Sequence, residues 1–283
     1  MNRETKSGGP TVGKSRTDTR ARVLVMGSGT STGVPLLGCD CPVCTSSDPR
    51  DRRDRCGVYV SAEGFGLQID VSPDFRVQAL RHRIPRVDAL LVTHCHADHC
   101  LGLDDVRRFN TLQGGAIPLW ARRSTLGNLK RIFNYIFHSP PSQREMYRPK
   151  LVPMLLPGFP RSVRIGPFSV RVLPVPHGPV RSVAVEVSFS GRRLVLCSDC
   201  SRATPSLRAL LRGADIAILD GLRDRPHSAH LTVNQALEVL REARPAVGRL
   251  IHIGHDILHE DLARRCAELP GVAPAFDGEE LAL

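Results

Sequence analysis

The chain has 283 residues, of which 41% are hydrophobic and 24% are charged, and this composition is typical of a soluble globular protein with a sizeable core. No stretch approaches the ~18 consecutive apolar residues that a membrane-spanning helix needs, and the basic N-terminal stretch lacks the apolar segment of a signal peptide. We therefore expect a cytoplasmic protein without a membrane partner.

The charge and the cysteine count bear on partners and ligands. The formal net charge of +11 favours anionic partners such as phosphate esters or nucleic acid, although arginines spread along the whole chain fit a general arginine bias better. Nine cysteines without a secretion signal indicate free thiols and metal ligands rather than a disulfide framework.

The first 20 residues are polar and without periodicity, which predicts a disordered basic tail ahead of one domain over residues 21–283. Within this tail, "GGPTVGKS" (residues 8–15) satisfies the G-x-x-x-x-G-K-[ST] pattern of a phosphate-binding loop. Such a loop needs a buried strand before it and a helix after it, and neither flanking segment fits. We reject this motif as a nucleotide site.

After the tail, short apolar runs predict strands, and most of them end at polar or metal-ligating residue types. The predicted strands are 23–26, 58–60, 67–69, 89–92, 168–175, 183–189, 193–197, 215–219 and 249–253. The predicted helices are 102–110, 126–137, 205–211, 232–242 and 261–268. Two β-rich halves with helices outside them predict a layered α/β sandwich. The Pro-rich run 138–149 predicts a long surface loop, a candidate lid.

The stretch "LLVTHCHADHC" is the most informative in the chain. It places His94, His96, Asp98 and His99 directly after a predicted buried strand. Neutral imidazole and carboxylate are ligands for metals such as zinc, iron and manganese. In a tight loop the first two histidines can point to one side and the other two residues to the opposite side, which suits two adjacent metals.

Three more candidate ligands follow other predicted strands: His177, Asp199 and His252. Each alone is more often an ordinary loop or core residue than a ligand. Because the same order of apolar strand and then ligand recurs in all three, they form a coherent set with residues 94–99. The pattern predicts a dinuclear metal site.

The H-x-H-x-D-H pattern resembles that of the metallo-β-lactamase superfamily in its metal-dependent hydrolase form, over about residue 22 to the C-terminus. The resemblance implies a four-layer αβ/βα sandwich of two mixed β-sheets flanked by helices, with two catalytic divalent metals, zinc or manganese, at one edge. The first metal would be held by His94, His96 and His177, and the second by Asp98, His99 and His252, with Asp199 bridging the two.

The run "GCDCPVC" (residues 38–44) holds three cysteines within six residues, one ligand short of a tetrahedral zinc. Together with "MGSGTSTGVPLL" ahead of it and the T-H-x-H-x-D-H run after it, this cluster resembles the phosphoribosyl 1,2-cyclic phosphate phosphodiesterases of the PhnP type. That resemblance implies a structural zinc held by Cys39, Cys41, Cys44 and His255.

Several residues near the expected site have two interpretations. Cys197 and Cys200 form a C-x-x-C pair, which can indicate redox chemistry, but we favour small core residues that bind no metal. Asp70 either orients a metal-bound imidazole or is an ordinary turn carboxylate. In phosphodiesterase relatives a histidine ahead of the corresponding helix faces the leaving group. His230 matches that place as a general acid or phosphate anchor, and His227 either shares the role or faces solvent.

The sequence therefore predicts a metal-dependent phosphodiesterase that acts on a small anionic phosphodiester, with a cyclic ribosyl phosphate as one candidate substrate. In this hypothesis a hydroxide bridging the metals attacks phosphorus, Asp199 fixes the metals roughly 3.5–4 Å apart, and His230 donates a proton to the leaving group.

Other functions remain open. One is an RNA 3′-end-processing endonuclease of the same superfamily, with nucleic acid as the less favoured partner because the chain shows no long Gly-rich basic arm. A thioester or lactone hydrolase of the same fold is another. A non-enzymatic, metal-stabilised nucleic-acid-binding module is the third, although seven candidate ligands exceed what a structural site needs. A homodimer is compatible with the sequence.

Overall fold

The computed structural model describes residues 20–138 and 147–283. The candidate phosphate-binding motif, almost all of the predicted tail and most of the predicted loop 138–149 lie outside these ranges. The single domain over 21–283 stays a prediction. None of the helices in the described ranges has the length and apolarity of a membrane span.

The first sheet is built mainly from the N-terminal half of the chain. Its order is β14 (Glu280–Ala282), β1 (Arg22–Gly27), β2 (Gly57–Ala62), β3 (Phe65–Ile69), β4 (Ala89–Leu91), β5 (Ile117–Ala121) and β6 (Leu151–Leu155). The pairs from β14 to β3 are antiparallel and those from β3 to β6 are parallel, so the sheet is mixed.

The second sheet repeats this plan with the C-terminal half. Its order is β13 (Val272–Pro274), β12 (Val247–Ile251), β11 (Ile216–Asp220), β10 (Arg192–Cys197), β9 (Val180–Phe189), β8 (Phe168–His177) and β7 (Ser162–Ile165). The pairs from β7 to β10 are antiparallel and those from β10 to β13 are parallel. Strands β8, β10, β11 and β12 therefore all point to the same edge.

The α-helices lie outside the two sheets. They are α1 (Phe75–Arg81), α2 (Ala97–Cys100), α3 (Arg107–Gln113), α4 (Arg123–Ile132), α5 (Asn134–Phe137), α6 (Pro205–Leu211), α7 (Val233–Ala243) and α8 (His259–Cys266). One buried apolar cluster lies between the sheets. A second joins the first sheet to α1, α3 and α4, and a third joins the second sheet to α6, α7 and α8. The predicted four-layer sandwich of two mixed sheets is confirmed.

Most predicted elements are present with small shifts of their ends. Helix α7 begins after Thr232, whose side chain accepts a hydrogen bond from the Gln235 backbone while Gln235 bonds back to the Thr232 backbone, a complete capping box. The predicted helix 102–110 is helical throughout, as a 3₁₀ helix over Leu101–Val106 that continues into α3. The predicted helix 126–137 is interrupted at Phe133.

The sequence reasoning missed two helices, α1 and α2, and five strands, β5, β6, β7, β13 and β14. Strands β5 and β6 each contain a proline, Pro118 and Pro153, and proline lowers any strand assignment because it lacks a backbone donor. The structure accommodates Pro153 because β6 is an edge strand.

Phe168 offers a test of the layer between the sheets. It is fully buried, and its ring makes edge-on contacts with Phe65 at 6.2 Å and with Phe189 at 5.8 Å between centroids. Because its removal leaves a cavity that close-packed neighbours refill only partly, we expect Phe168→Ala to lower the free energy of unfolding by about 3–5 kcal/mol in urea titrations. Phe159→Ala is the control, since Phe159 is 40% exposed. Equal losses for the two variants would contradict the assigned packing.

Candidate metal centre

The predicted ligands meet where strand ends of the two sheets converge. His177 is the last residue of β8, Asp199 follows β10 by two residues, and His252 follows β12 directly. From the first sheet, the loop after β4 brings in His94 and the residues up to 99. Because parallel strands present their carboxyl ends at one edge, residues distant in sequence become neighbours there.

His94, His96 and His177 form one trio. The His96 Nδ1 atom lies 3.0 Å from both His94 Nε2 and His177 Nε2. At most one of two imidazole nitrogens that face each other at this distance can be protonated. Nitrogen ligands of one zinc-sized cation lie roughly 3.3 Å from one another, so the three imidazoles fit such a cation. His96 is exposed and the other two are buried, so the centre opens to solvent beside this trio.

Asp98, His99 and His252 form the second trio, and all three are buried. Asp98 Oδ2 lies 3.1 Å from His99 Nε2 and 3.3 Å from His252 Nε2. The two imidazole rings are stacked, with 10° between their planes and 5.9 Å between their centroids. One carboxylate oxygen and two imidazole nitrogens again make a donor set for a divalent metal.

Asp199 contacts both trios. Its Oδ2 atom lies 3.2 Å from His99 Nε2, while its Oδ1 atom lies 3.4 Å from His252 Nε2 and 3.7 Å from His177 Nε2. Asp199 Oδ2 and His99 Nε2 face each other without hydrogen-bond geometry, so neither buried atom forms a hydrogen bond in the described part of the chain. Buried polar atoms without partners are costly, and a pair of cations would satisfy both. The donor set therefore fits two metals with Asp199 between them.

The charges at this centre compensate one another. Burial raises the pKa of Asp199, but His252 and His99 outweigh it and hold that pKa well below its usual value. Burial lowers the pKa of His252, yet Asp199 and Asp98 outweigh it and raise that pKa to about 9. Positive charge therefore stabilises these carboxylates, and a bound metal would supply it in place of imidazole protons.

Asp70 lies behind the second trio. Its Oδ2 atom is 2.7 Å from His99 Nδ1 and accepts a hydrogen bond from the Thr93 hydroxyl, and its Oδ1 atom accepts one from the Thr93 backbone N–H. A carboxylate on the far nitrogen fixes the tautomer and the orientation of an imidazole. Of the two interpretations of Asp70, the structure favours the one that orients His99.

The cysteine run lies beside the loop that follows β12. The Sγ atoms of Cys39, Cys41 and Cys44 are 3.4, 3.5 and 3.6 Å from His255 Nδ1. A zinc with bonds of 2.3 Å to sulfur and 2.0–2.1 Å to nitrogen would separate these atoms by about 3.5 Å in a tetrahedron. The backbone N–H of Cys44 is the largest cause that lowers the pKa of Cys41 to about 6, which favours the thiolate that a metal binds.

A buried ion pair that the sequence reasoning missed fixes this loop. Arg53 and Asp51 are 2.9 Å apart, and both side chains are inaccessible to solvent. Arg53 donates to the carbonyls of Gly254 and Ile257, and Asp51 accepts from the His259 backbone N–H at 2.6 Å. These bonds hold the segment that contains His252 and His255. An Asp and an Arg in a run of charged residues gave no sequence signal for this role.

His230 and Asp220 form a second pair, of which the sequence predicted His230 but not Asp220. Asp220, the last residue of β11, has its Oδ2 atom 2.9 Å from His230 Nδ1. Burial raises the pKa of Asp220 well above its usual value, and burial with the nearby His252 lowers the pKa of His230 to about 4. The two groups therefore share one proton near neutral pH. In the sequence "DIAILD", Asp220 follows an apolar strand, as the other candidate ligands do. The same pattern could therefore have identified Asp220.

The remaining candidates lie close by. The His227 ring is 5.1 Å from the His230 ring and exposed. His177 Nδ1 donates to the Ala229 carbonyl at 2.8 Å, which leaves its Nε2 atom for the centre. Cys197 and Cys200 are fully buried in the apolar layer under α6 and α7, as the core interpretation predicts.

Comparisons with known proteins agree with this geometry. Residues 67–253, more than half of the chain, match the beta-lactamase superfamily domain. The chain belongs to this superfamily. The crystal structure of a diphosphatase from the PhnP family is 38% identical, has a TM-score of 0.83, and aligns over 93% of this chain and 97% of its own. Human tRNase Z, short form, shares the fold at 18% identity and a TM-score of 0.64, over 92% and 98% of the two chains.

Two curated relatives have other names. An octanoyltransferase of Porphyromonas gingivalis is 30% identical over 92% of this chain, and the chain spans about half, 51%, of that protein's length. A coenzyme PQQ synthesis protein B of Methylobacterium radiotolerans is 30% identical over 71% of this chain and 72% of its own. The superfamily thus supports a metal-dependent hydrolase without deciding the substrate.

Metal content tests the cysteine site. We expect Cys44→Ser to lower bound zinc by about one ion per chain, because three remaining ligands no longer close a tetrahedral shell. Cys266→Ser is the matched control, since Cys266 is a buried free thiol of the apolar layer around α8. Elemental analysis of protein purified without added metal gives the readout. Unchanged zinc in Cys44→Ser would show that the three thiols bind no metal.

Proposed function

We propose that the chain is a metal-dependent phosphodiesterase acting on a small anionic phosphodiester. The observation that supports it most is the contact of Asp199 with both trios, which is the arrangement a two-metal site requires. The 38% identity to a PhnP-family diphosphatase supports phosphorus chemistry over the acyl chemistry of the thioester and lactone alternative.

In this proposal, His94, His96 and His177 would hold one divalent metal, Asp98, His99 and His252 would hold the other, and Asp199 would serve both. Two divalent metals, zinc or manganese, would activate a water for attack and neutralise the non-bridging phosphate oxygens. Asp70 keeps His99 in the orientation that presents Nε2 to the centre. The Cys39, Cys41, Cys44 and His255 zinc would be structural, holding the loop after β12.

His230 is the proposed proton donor. Its Nδ1 atom faces Asp220, and its Nε2 atom has no hydrogen-bond partner in the described ranges and is not sealed from solvent. The pair therefore shares one proton beside the centre, and the His230 ring stacks on the His252 ring at 4.5 Å. A group placed this way can transfer a proton to a leaving alkoxide and recover it through Asp220.

Diphosphate hydrolysis is the second candidate, favoured by the diphosphatase in the PhnP family. It uses the same two metals and the same attack on phosphorus, but the leaving group is a phosphate rather than an alkoxide. Such a leaving group needs less help from a proton donor, so dependence on His230 distinguishes the two substrates.

The proposal is tested with a substrate panel and purified protein loaded with Mn²⁺ or Zn²⁺. We expect turnover of bis(p-nitrophenyl) phosphate or of a ribosyl cyclic phosphate, and a loss of about 10³-fold or more in Asp199→Asn, because one bridging charge between two metals is removed. A nucleotide sugar tests the diphosphate candidate, a thioester and a lactone test acyl chemistry, and a tRNA gel shift with its salt slope tests the nuclease. Absence of metal-dependent turnover of every phosphodiester would refute the proposal.

The role of the Asp220–His230 pair has its own test. We expect Asp220→Asn to lower kcat for a phosphodiester with an alkoxide leaving group by about 10²-fold, because the amide no longer accepts the imidazole proton. KM and metal content should stay near wild type, which a merely structural defect would not allow. Asp224→Asn is the control, because Asp224 is an exposed carboxylate in the loop between β11 and α7. A similar loss of kcat with bis(p-nitrophenyl) phosphate, whose p-nitrophenolate leaves without a proton, would contradict proton transfer as the role.

A further inference from the structure

The C-terminal ends of α6 and α7 meet at the edge of the second sheet that lies opposite the metal centre. There the Gly213 N–H donates to the Ala243 carbonyl at 2.9 Å, and the Ala246 N–H donates to the Ala214 carbonyl at 3.1 Å. Helix α7 begins just after the loop that contains His230 and has 11 residues, so its two ends are about 16 Å apart. This edge is therefore remote from the proposed reaction.

Three arginines line one cleft at this edge, which we call the basic cleft: Arg212, Arg241 and Arg244. Its volume is about 710 Å³. Arg212 follows α6, Arg241 lies in the last turn of α7, and Arg244 follows α7. All three are exposed, and across residues 20–138 and 147–283 none of them forms an ion pair or a side-chain hydrogen bond.

The neighbouring charges at this edge are compensated. Glu242, the acidic residue that lines the basic cleft, forms an ion pair with Arg208. Arg193, whose guanidinium donates to the Arg212 carbonyl at 2.9 Å, forms an ion pair with Glu186 at 3.1 Å. The C-terminal end of a helix carries only about half a negative charge, so the ends of α6 and α7 together offset about one arginine. A net positive charge therefore remains in the basic cleft.

The shape and chemistry of the basic cleft fit an extended polyanion better than a small ligand. Small-molecule sites enclose most of their ligand, whereas the basic cleft is open to solvent. A guanidinium can bind two phosphate oxygens through parallel hydrogen bonds. Arg241 and Arg244 also line a second cavity of about 360 Å³, whose other walls are apolar. Neither cavity is lined by an aromatic ring on which a base could stack, so the contacts favour phosphates without base recognition.

We infer that the basic cleft binds the phosphate backbone of a nucleic acid, with Arg212, Arg241 and Arg244 each neutralising a phosphate. The formal net charge of +11 favours the same partner. This binding goes beyond the proposed function and does not depend on it, because the basic cleft and the metal centre lie at opposite ends of α7. The protein would hold a nucleic acid while its metal centre stays accessible to a small substrate.

The salt dependence of binding tests the inference. Fluorescence anisotropy measures the affinity of the full chain for a labelled DNA duplex of about 20 base pairs, between about 50 and 200 mM NaCl. Each arginine that neutralises a phosphate adds about 0.9 to the slope of log affinity against log salt. We expect the triple variant Arg212→Gln, Arg241→Gln, Arg244→Gln to flatten this slope by nearly three and to weaken binding at least about tenfold at the lowest salt.

A second triple variant is the matched control: Arg76→Gln, Arg131→Gln, Arg161→Gln. These exposed arginines lie on separate elements and form no ion pair in the described ranges, so the control removes the same net charge without touching the basic cleft. Its slope should stay near that of the wild type. Equal losses in the two triple variants would overturn the inference, because they would show a response to net charge alone.

Hydrogen exchange with mass spectrometry locates the duplex on the wild-type protein, without any variant. We expect the duplex to slow exchange in peptides that cover 205–215 and 240–247. Protection confined to the loop 94–99 would place the nucleic acid at the metal centre and overturn the inference. Tighter binding of a poly-glutamate peptide of equal charge would assign the basic cleft to an acidic protein and overturn it as well.

Discussion

The buried carboxylate of Asp199 is the group on which the arrangement of the site depends. A carboxylate without solvent or a counter-charge costs several kcal/mol in a protein interior, and Asp199 is held between imidazoles from both trios. Those imidazoles come from opposite sheets, so the electrostatic balance requires that the two sheets stay in register. The apolar layer between the sheets provides this register, because close-packed side chains permit little sliding.

The mirrored strand order explains how distant residues reach one place. In each sheet three antiparallel pairs are followed by three parallel pairs, and the parallel strands end at the edge where the sheets meet. β1 contributes to the same edge, since Gly29 pairs with Ile253 at the exit of β12. One face-to-face packing thus places a histidine-rich loop of the first sheet against three strand ends of the second.

The fold and much of the candidate site follow from local sequence pattern, and the exceptions have physical reasons. His177, Asp199 and His252 can be predicted because the same order, an apolar strand and then a ligand-type residue, recurs at all three positions. Strands with proline, such as β5 and β6, were not visible, since their pairing depends on neighbours rather than on the strand itself. Arg53 was also hidden, because an arginine in a charged run normally faces solvent, and only the tertiary structure buries this one.

Arg223 is a second residue whose surroundings cannot be predicted from the sequence. Its sequence neighbours Asp224 and Arg225 look equivalent to it, and three consecutive charges usually cancel locally. In the structure Asp224 and Arg225 each pair with a residue outside their own loop, whereas Arg223 forms no ion pair in the described ranges. The difference between Arg223 and its neighbours arises from ion pairs with residues distant in sequence, so composition and spacing do not predict it.

The segment after β12 contains His252 of the second trio and, three positions later, His255 beside the thiols. Arg53 and Asp51 hold this span and the residues after it, through bonds to Gly254, Ile257 and His259. Because His252 and His255 lie on this one stiffened stretch of backbone, a displacement of either residue moves the other. The thiol cluster and the histidine-rich centre therefore share a single mechanical support.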